Sequence, residues 1–484
     1  MIPHFKMTHY QYLSFSFLSY APAITMAAFC FIDPRGNMDK REFLKTSGAF
    51  AATALLPGFA SADEKKMTHR TNWSGNLTYH TDNLFEPSTV AELQQVVKDN
   101  ASIRPLGTRH SFNGLADSTH AQVSLSKFKD ISIDEKAKTV TVGAGVRYGD
   151  LAPVIDAKGF ALHNLASLPH ISVPGAIATG THGSGIHNKN LSSSVAAIEF
   201  VDANGDLHTL SRADGDKFNG AVVNLGLLGV MTRVTLDVEP TFQIAQTVYT
   251  DLPFAELEHH FDDIFGAGYS VSLFTDWQQS RGTELWLKRK VAPGQKLDTP
   301  QMFYNGKLAT KNLHPIPALD AVNCTPQMGV PGPWYERLPH FRMNFTPSSG
   351  EELQTEYFVP RSHAYEAIRA VETLKDHITP HLLTTELRTI AADDLWLSMA
   401  YQQDSLAIHF TWKRQWPEVQ KILPLIQQKL DPFNPRPHWA KLTTYDGAHF
   451  RQVYPKLADF KALVQQYDPK GKFRNQLVTA ELYS

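Results

Sequence analysis

Gly175-Ala176-Ile177-Ala178-Thr179-Gly180-Thr181-His182-Gly183-Ser184-Gly185 gathers glycines and small hydroxyl residues into one short segment of this 484-residue chain. Its glycines and small hydroxyl residues let backbone N–H groups approach a pyrophosphate and bond its oxygens. A turn of the same character stands upstream, Leu106-Gly107-Thr108-Arg109-His110-Ser111. Taken alone, such turns are more often just turns. The dinucleotide crossover of nicotinamide enzymes is excluded, because it needs Gly-x-Gly-x-x-Gly between a strand and a helix. Gly143-Ala144-Gly145 comes close, but Tyr148 fills the sixth position. The chain also lacks a Walker loop and a His-Glu-x-x-His motif.

Outward from these turns the first half reads as α+β with many short strands. The spacing predicts a helix over about 89–98, with Thr89 and Glu92 as a capping box and Leu93, Val96 and Val97 on one face. Thr139–Val142 alternates as a strand. Ile198–Val201 and Leu207–Leu210 flank Asn204-Gly205, a strong hairpin signal. Met231–Leu236 is a further β-branched run. Residues 290–350 are rich in Pro and poor in periodicity, which predicts long connections rather than a new domain. Strands are predicted again at 353–359 and 406–412, and helices at 363–375, 417–430 and 456–466.

The second half carries polar residues at strand spacing. Glu386 and Arg388 are two apart, so on a strand both point to one face. His409 and Thr411 repeat that geometry, and Lys441 follows His438-Trp439. Two cations near a carboxylate can bind and polarise hydroxyl groups. Spacing alone favours a plain salt bridge between Glu386 and Arg388.

Composition narrows the class. The chain is 42% hydrophobic and 19% charged, as expected of a folded globular protein. A formal net charge of -2 gives no electrostatic reason to expect nucleic acid or an acidic membrane as partner. Cys30 and Cys324 alone rule out a disulfide framework and any Cys-based zinc or iron–sulfur site; Cys324 reads as a structural thiol. No metal site is expected.

Residues 1–62 read as a leader. Lys40 and Arg41 precede Phe43-Leu44-Lys45, an apolar run follows, and Ala60-Ser61-Ala62 is a small-x-small cleavage pattern. The segment resembles a twin-arginine export signal with Lys in place of the first Arg. Met38 is the expected start of translation. Export to the periplasm or exterior is expected, with the cytoplasm as the alternative if the leader is not functional. No stable membrane insertion of the mature protein is expected.

From about residue 72 to residue 480 the chain resembles the alditol oxidases, within the vanillyl-alcohol-oxidase superfamily of flavoproteins. The resemblance rests on long ordered stretches. They include Asn72-Trp73-Ser74-Gly75-Asn76, His110-Ser111-Phe112-Asn113, Ser167-Leu168-Pro169-His170 and Ala178–Gly185. Tyr269–Trp277, Ala321–Thr325, Phe345–Gly350 and Arg436-Pro437-His438-Trp439 continue the series. It implies a two-domain α+β fold of the PCMH type. An FAD-binding domain would span 68–245 and be rejoined by 436–484, with a substrate domain of mixed or antiparallel sheet plus helices at 246–435.

The resemblance also implies FAD bound covalently, through a bond from His110 to the flavin 8α-methyl carbon. The implied cofactor contacts are Gly107, Thr108, Arg109, His110, Ser111, Ser167, Ser172, Gly175, Thr179, Gly180, His182, Gly183, Ser184, Gly229 and Val230. Ser167 would hold a distal substrate hydroxyl. Glu386 and Arg388 would grip the reacting end, His409 and Thr411 would line the same pocket, and Lys441 would stand near the reacting hydroxyl. Ala440 departs from the family's His-Trp-Gly-Lys motif. The implied reaction converts the terminal hydroxyl of xylitol or sorbitol to the aldehyde, with dioxygen reduced to hydrogen peroxide. Rival readings are an oxidase or dehydrogenase of sugar 1,4-lactones, a dehydrogenase using another electron acceptor, and a non-catalytic polyol-binding flavoprotein. The oligomeric state is left open, a monomer included.

Overall fold

The computed structural model describes residues 70–484, apart from Pro293 and Lys296. The leader read at 1–62 lies outside the described residues. Alternating apolar residues in the first half build a five-stranded antiparallel sheet in the order 131–134, 139–143, 230–237, 195–201, 207–211. Val140 and Val142 alternate inward with Ile198, Val234 and Leu236, and all five are buried. The predicted hairpin is present, with Val201 opposite Leu207. Its loop is longer than a two-residue turn, because the buried Asp202 carboxylate accepts from the N–H groups of Asn204 and Asp206 at 2.9 Å each.

The predicted helix near the N-terminal side spans Val90–Asp99, buries Leu93 and Val97, and is capped by Thr89 accepting from Glu92 N. The reciprocal half of the capping box is displaced by one residue. The Glu92 carboxylate accepts from Ser88 N at 2.7 Å rather than from the cap residue.

The second half builds a ten-stranded antiparallel sheet. Its central strands run in the order 243–253, 281–291, 270–275, 382–390, 405–413, 352–360. Strand alternation gives this sheet two unlike faces. Leu387, Ile408 and Phe410 lie on one face, against Ala367, Ile368 and Val371 of the helix Ala364–Glu372 and Val419, Leu423 and Ile426 of the helix Trp416–Leu430. Burying each such side chain contributes about 1.5–3 kcal/mol. The opposite face carries Glu386, Arg388, His409 and Thr411. Sequence spacing identified 352–360 and 405–413 but none of the strands 243–253, 270–275 and 281–291. Those three are almost wholly buried, so they offer little alternation.

The chain's end returns to the first half. Phe450, Tyr454, Leu457, Phe460 and Val464 join the core that holds Val140, Ile155 and Ile198, and Phe473 packs with Leu93 and Val97. Residues 302–303, 306–308 and 332–333 add short strands at the edge of the large sheet, within the segment predicted to be connection.

Candidate active site

One large cavity lies between the two small-residue turns and the polar face of the ten-stranded sheet. Its first wall is backbone and small side chains. Ser172 N donates to Thr108 Oγ1 at 3.1 Å, which ties the two turns together. Their approach requires glycine: a Cβ on Gly107 or on Gly175 would lie 2.8 Å from Ser172 Oγ. Arg109, Ser111, Ser167, Thr179, His182, Gly229 and Val230 complete the predicted set on the cavity lining. Gly180, Gly183 and Ser184, also predicted, are off that lining. Beyond His182 the chain leaves the cavity to dock on the large sheet. Gly185 N donates to Thr389 O at 2.9 Å, Gly183 packs on Asn164, and Ser184 Oγ donates to Val271 O.

His110 stands on this wall, its ring stacked on Trp73 at 5.0 Å between centroids. Its Nδ1 lies 3.2 Å from Thr108 Oγ1. Its Nε2 is buried and has no hydrogen-bond partner among the described residues. Burial, with His170 and Lys441 nearby, pushes its pKa down to about 3, so the imidazole is neutral.

The second wall is made of side chains, placed by strand register. Glu386 lies opposite His409, which lies opposite Glu356; Thr384 and Gln354 flank Thr411 in the same way. Arg388 is buried and spans both walls, donating from Nη1 to Ser167 Oγ at 3.3 Å and from Nη2 to Glu356 Oε1 at 3.1 Å. Its Nε is 3.4 Å from Glu386 Oε1. Glu386 accepts from His340 Nε2 at 2.7 Å, and its other oxygen is 3.8 Å from His409 Nδ1. Glu356 is also bonded to His182 Nε2 at 3.0 Å. Burial raises the pKa of both carboxylates, but their neighbours outweigh it. Arg388 and His340 hold Glu386, and His182, His409 and Arg388 hold Glu356, well below the usual carboxylate range.

Lys441 donates from Nζ to Gln354 Oε1 and sits 4.8 Å above the Phe112 ring. Burial pulls its pKa down to about 8, against the opposing field of Glu356. Ala440 is not among the residues with positive φ, so the backbone there suits an L side chain. Ala440 O accepts from Phe112 N at 2.8 Å, which fixes the approach of Lys441 to the first wall.

Sequence reasoning missed Gln354, Glu356, His340, His314 and Lys288. Gln354 and Glu356 had a usable signal, the same two-residue spacing as Glu386 and Arg388. The other three had none. His314 and His340 arrive on the aperiodic segment 290–350, and Lys288 sits in a buried strand that spacing did not identify.

A family model described as an FAD binding domain matches residues 81–211, and one described as D-arabinono-1,4-lactone oxidase matches residues 348–480. An alditol oxidase from Streptomyces sp. is 47% identical over 409 residues, covering 84% of this chain and 97% of the relative. An L-gulono-1,4-lactone dehydrogenase from Mycobacterium tuberculosis is 27% identical over 425 residues, with 84% and 96% covered. Among solved structures, a cholesterol oxidase from B. sterolicum aligns with a TM-score of 0.67 at 16% identity, covering 89% of this chain and 100% of that one, a likeness of fold alone. The architecture is thus the two-domain PCMH-type α+β fold. The first wall fits FAD on its own geometry. Gly107 and Gly175 leave a cradle that side chains would fill, and the buried, unpartnered Nε2 of His110 faces the same cavity. The chain belongs to the alditol oxidase family and is an FAD-dependent oxidoreductase.

Proposed function

We propose that this enzyme oxidises the terminal hydroxyl of an alditol such as xylitol or sorbitol to the aldose. One observation carries the reading: the cavity face of the ten-stranded sheet is an unbroken row of buried hydrogen-bonding side chains, Gln354, Glu356, Thr384, Glu386, Arg388, His409 and Thr411. The Nε2 atoms of His409 and of nearby His314 are buried without a partner among the described residues. An unmatched buried polar group costs about 1–3 kcal/mol. A chain of hydroxyls, each both donor and acceptor, satisfies such a row.

Bound FAD supplies the acceptor for the hydride leaving the terminal carbon, and dioxygen reoxidises it with release of hydrogen peroxide. The protein supplies position and charge. Ser167 and Thr411 hold hydroxyls along the chain. Glu386 accepts from a hydroxyl neighbouring the reacting one. The Arg388 guanidinium stabilises negative charge developing on the terminal oxygen. Lys441 Nζ, whose pKa lies about 8, takes the hydroxyl proton.

His110 is the proposed covalent tether: its neutral imidazole with a free Nε2 would replace one hydrogen of the flavin 8α-methyl carbon, with loss of protons to solvent and of two electrons to the flavin ring, from which dioxygen would remove them. His110→Ala is expected to release all flavin on acid denaturation; flavin that stays with the precipitated protein would place the tether elsewhere. In this reading residues 68–245 with 436–484 serve the cofactor and 246–435 the substrate. The leader at 1–62 directs export of a protein already folded around its cofactor. Among the described residues no helix is long and apolar enough to cross a membrane.

Oxygen uptake with xylitol, sorbitol and L-gulono-1,4-lactone, offered separately, tests the proposal. Uptake with the alditols and not the lactone is expected. Turnover of the lactone alone would replace the alditol reading by a lactone oxidase.

A further inference from the structure

We infer that Lys288 is a positioning residue for this reaction, setting the tautomer of His340 and through it the orientation of the Glu386 carboxylate. The inference rests on the reading of Glu386 as a substrate-facing group. Lys288 is fully buried on the strand Arg281–Val291. Its Nζ donates to Leu338 O, to Pro339 O at 3.2 Å and to His340 Nδ1 at 3.0 Å. Burial pulls its pKa down to about 7, with the Glu386 carboxylate opposing; in the ammonium form its three N–H groups meet three acceptors. With Nδ1 accepting, the neutral ring carries its proton on Nε2, the atom that meets Glu386 Oε1 at 2.7 Å.

The ring cannot turn away from this path. Trp286 and Phe274 meet it edge-on at 5.0 and 5.6 Å between centroids. Its backbone N–H donates to Ser167 O at 2.8 Å, and its carbonyl accepts from Thr325 N at 2.8 Å. Burial and the Lys288 charge push the His340 pKa down to about 4, consistent with a neutral ring.

Glu386 also faces Arg388 and His409, so why is a third partner needed? Arg388 is committed to Glu356 and Ser167 and approaches Glu386 only at 3.4 Å; His409 lies at 3.8 Å. Among the described residues the His340 contact is the one short bond that fixes the carboxylate. Without Lys288 the ring can move its proton to Nδ1 and bond the freed carbonyls of residues 338 and 339. Two lone pairs would then face each other across the Glu386 contact.

A double-mutant cycle tests this. Lys288→Met is expected to slow anaerobic flavin reduction by xylitol about ten- to a hundredfold, the size of a lost hydrogen bond to a charged group. His340→Phe removes the N–H that meets Glu386 and should lose at least as much as Lys288→Met. The key result is the double variant: in the His340→Phe background, Lys288→Met should cause no further loss. Losses that multiply would overturn the inference. Flavin absorbance and thermal melting confirm that each variant is folded. If Lys288→Met does not accumulate, Lys288→Gln replaces it; it retains an N–H for Nδ1 and should fall less than about threefold. A loss as large as that of His340→Phe would then overturn the inference. If no alditol reduces the parent's flavin, the substrate reading has failed. The relay is then read from melting, where non-additive shifts are expected and additive ones would overturn it.

Discussion

The two walls of the cavity are built by opposite means. The first, around Gly107–Ser111 and Ser172–Thr179, is made of backbone and small side chains on two turns, and its form depends on what is absent: a Cβ at 107 or 175. The second is made of long charged side chains on three neighbouring strands, and its form depends on register. The first is adapted to a large cofactor held by many weak contacts. The second is dense with charge and is satisfied only by a polar ligand. Arg388 is the residue that joins them, reaching Ser167 on one side and Glu356 on the other.

That joint is where the comparison breaks most severely. Arg388→Met removes the permanent cation at the reacting end, and flavin reduction by xylitol should fall about a hundred- to a thousandfold, as when a donor to a developing oxyanion is lost. The first wall does not depend on that charge, so bound flavin should be retained. Loss of flavin together with activity would show that the walls are not separable. The variant should also be destabilised, by about 3–5 kcal/mol, because Glu356 stays buried beside one fewer cation.

A smaller effect separates the two cations of the second wall. Lys441, with a pKa of about 8, titrates in the working range. Below that pH the side chain is an ammonium ion and has no lone pair for the hydroxyl proton. Above it the amine is free. Flavin reduction should therefore rise as pH passes upward through about 8, and in Lys441→Met the rise should vanish along with about ten- to a hundredfold of the rate. A rise that survives the substitution would assign the titration to another group.

The smallest expected change concerns Ala440, which immediately precedes Lys441. Ala440 is not among the residues with positive φ, so no strain is stored there. Ala440→Gly should alter turnover by less than about twofold, the only cost being added backbone freedom. A large gain would show that the methyl group misplaces Lys441.

The walls also differed in how well the sequence announced them. A wall of turns is local, so Gly107, His110, Ser172 and Gly175 stood out as two short segments. At Gly180, Gly183 and Ser184 the chain turns from cofactor cavity to sheet. A wall of strands is non-local. Spacing placed Glu386 with Arg388 and His409 with Thr411, but it could not show that Glu356 lies across from His409 and takes the Arg388 ion pair. The resemblance to alditol oxidases supplied the roles, where spacing alone favours a salt bridge. His340 was illegible for a further reason. It rides on a segment without periodicity, and its role comes from Lys288, whose strand is too buried to alternate.

The central claim is that the charged sheet wall is where an alditol reacts. The direct test mixes xylitol anaerobically with the parent enzyme and with Glu386→Gln, following flavin absorbance in both. The parent should bleach promptly, and Glu386→Gln should hold its flavin yet bleach about ten- to a hundredfold more slowly. Equal rates in the two proteins, or a parent whose flavin xylitol does not bleach, would contradict the account.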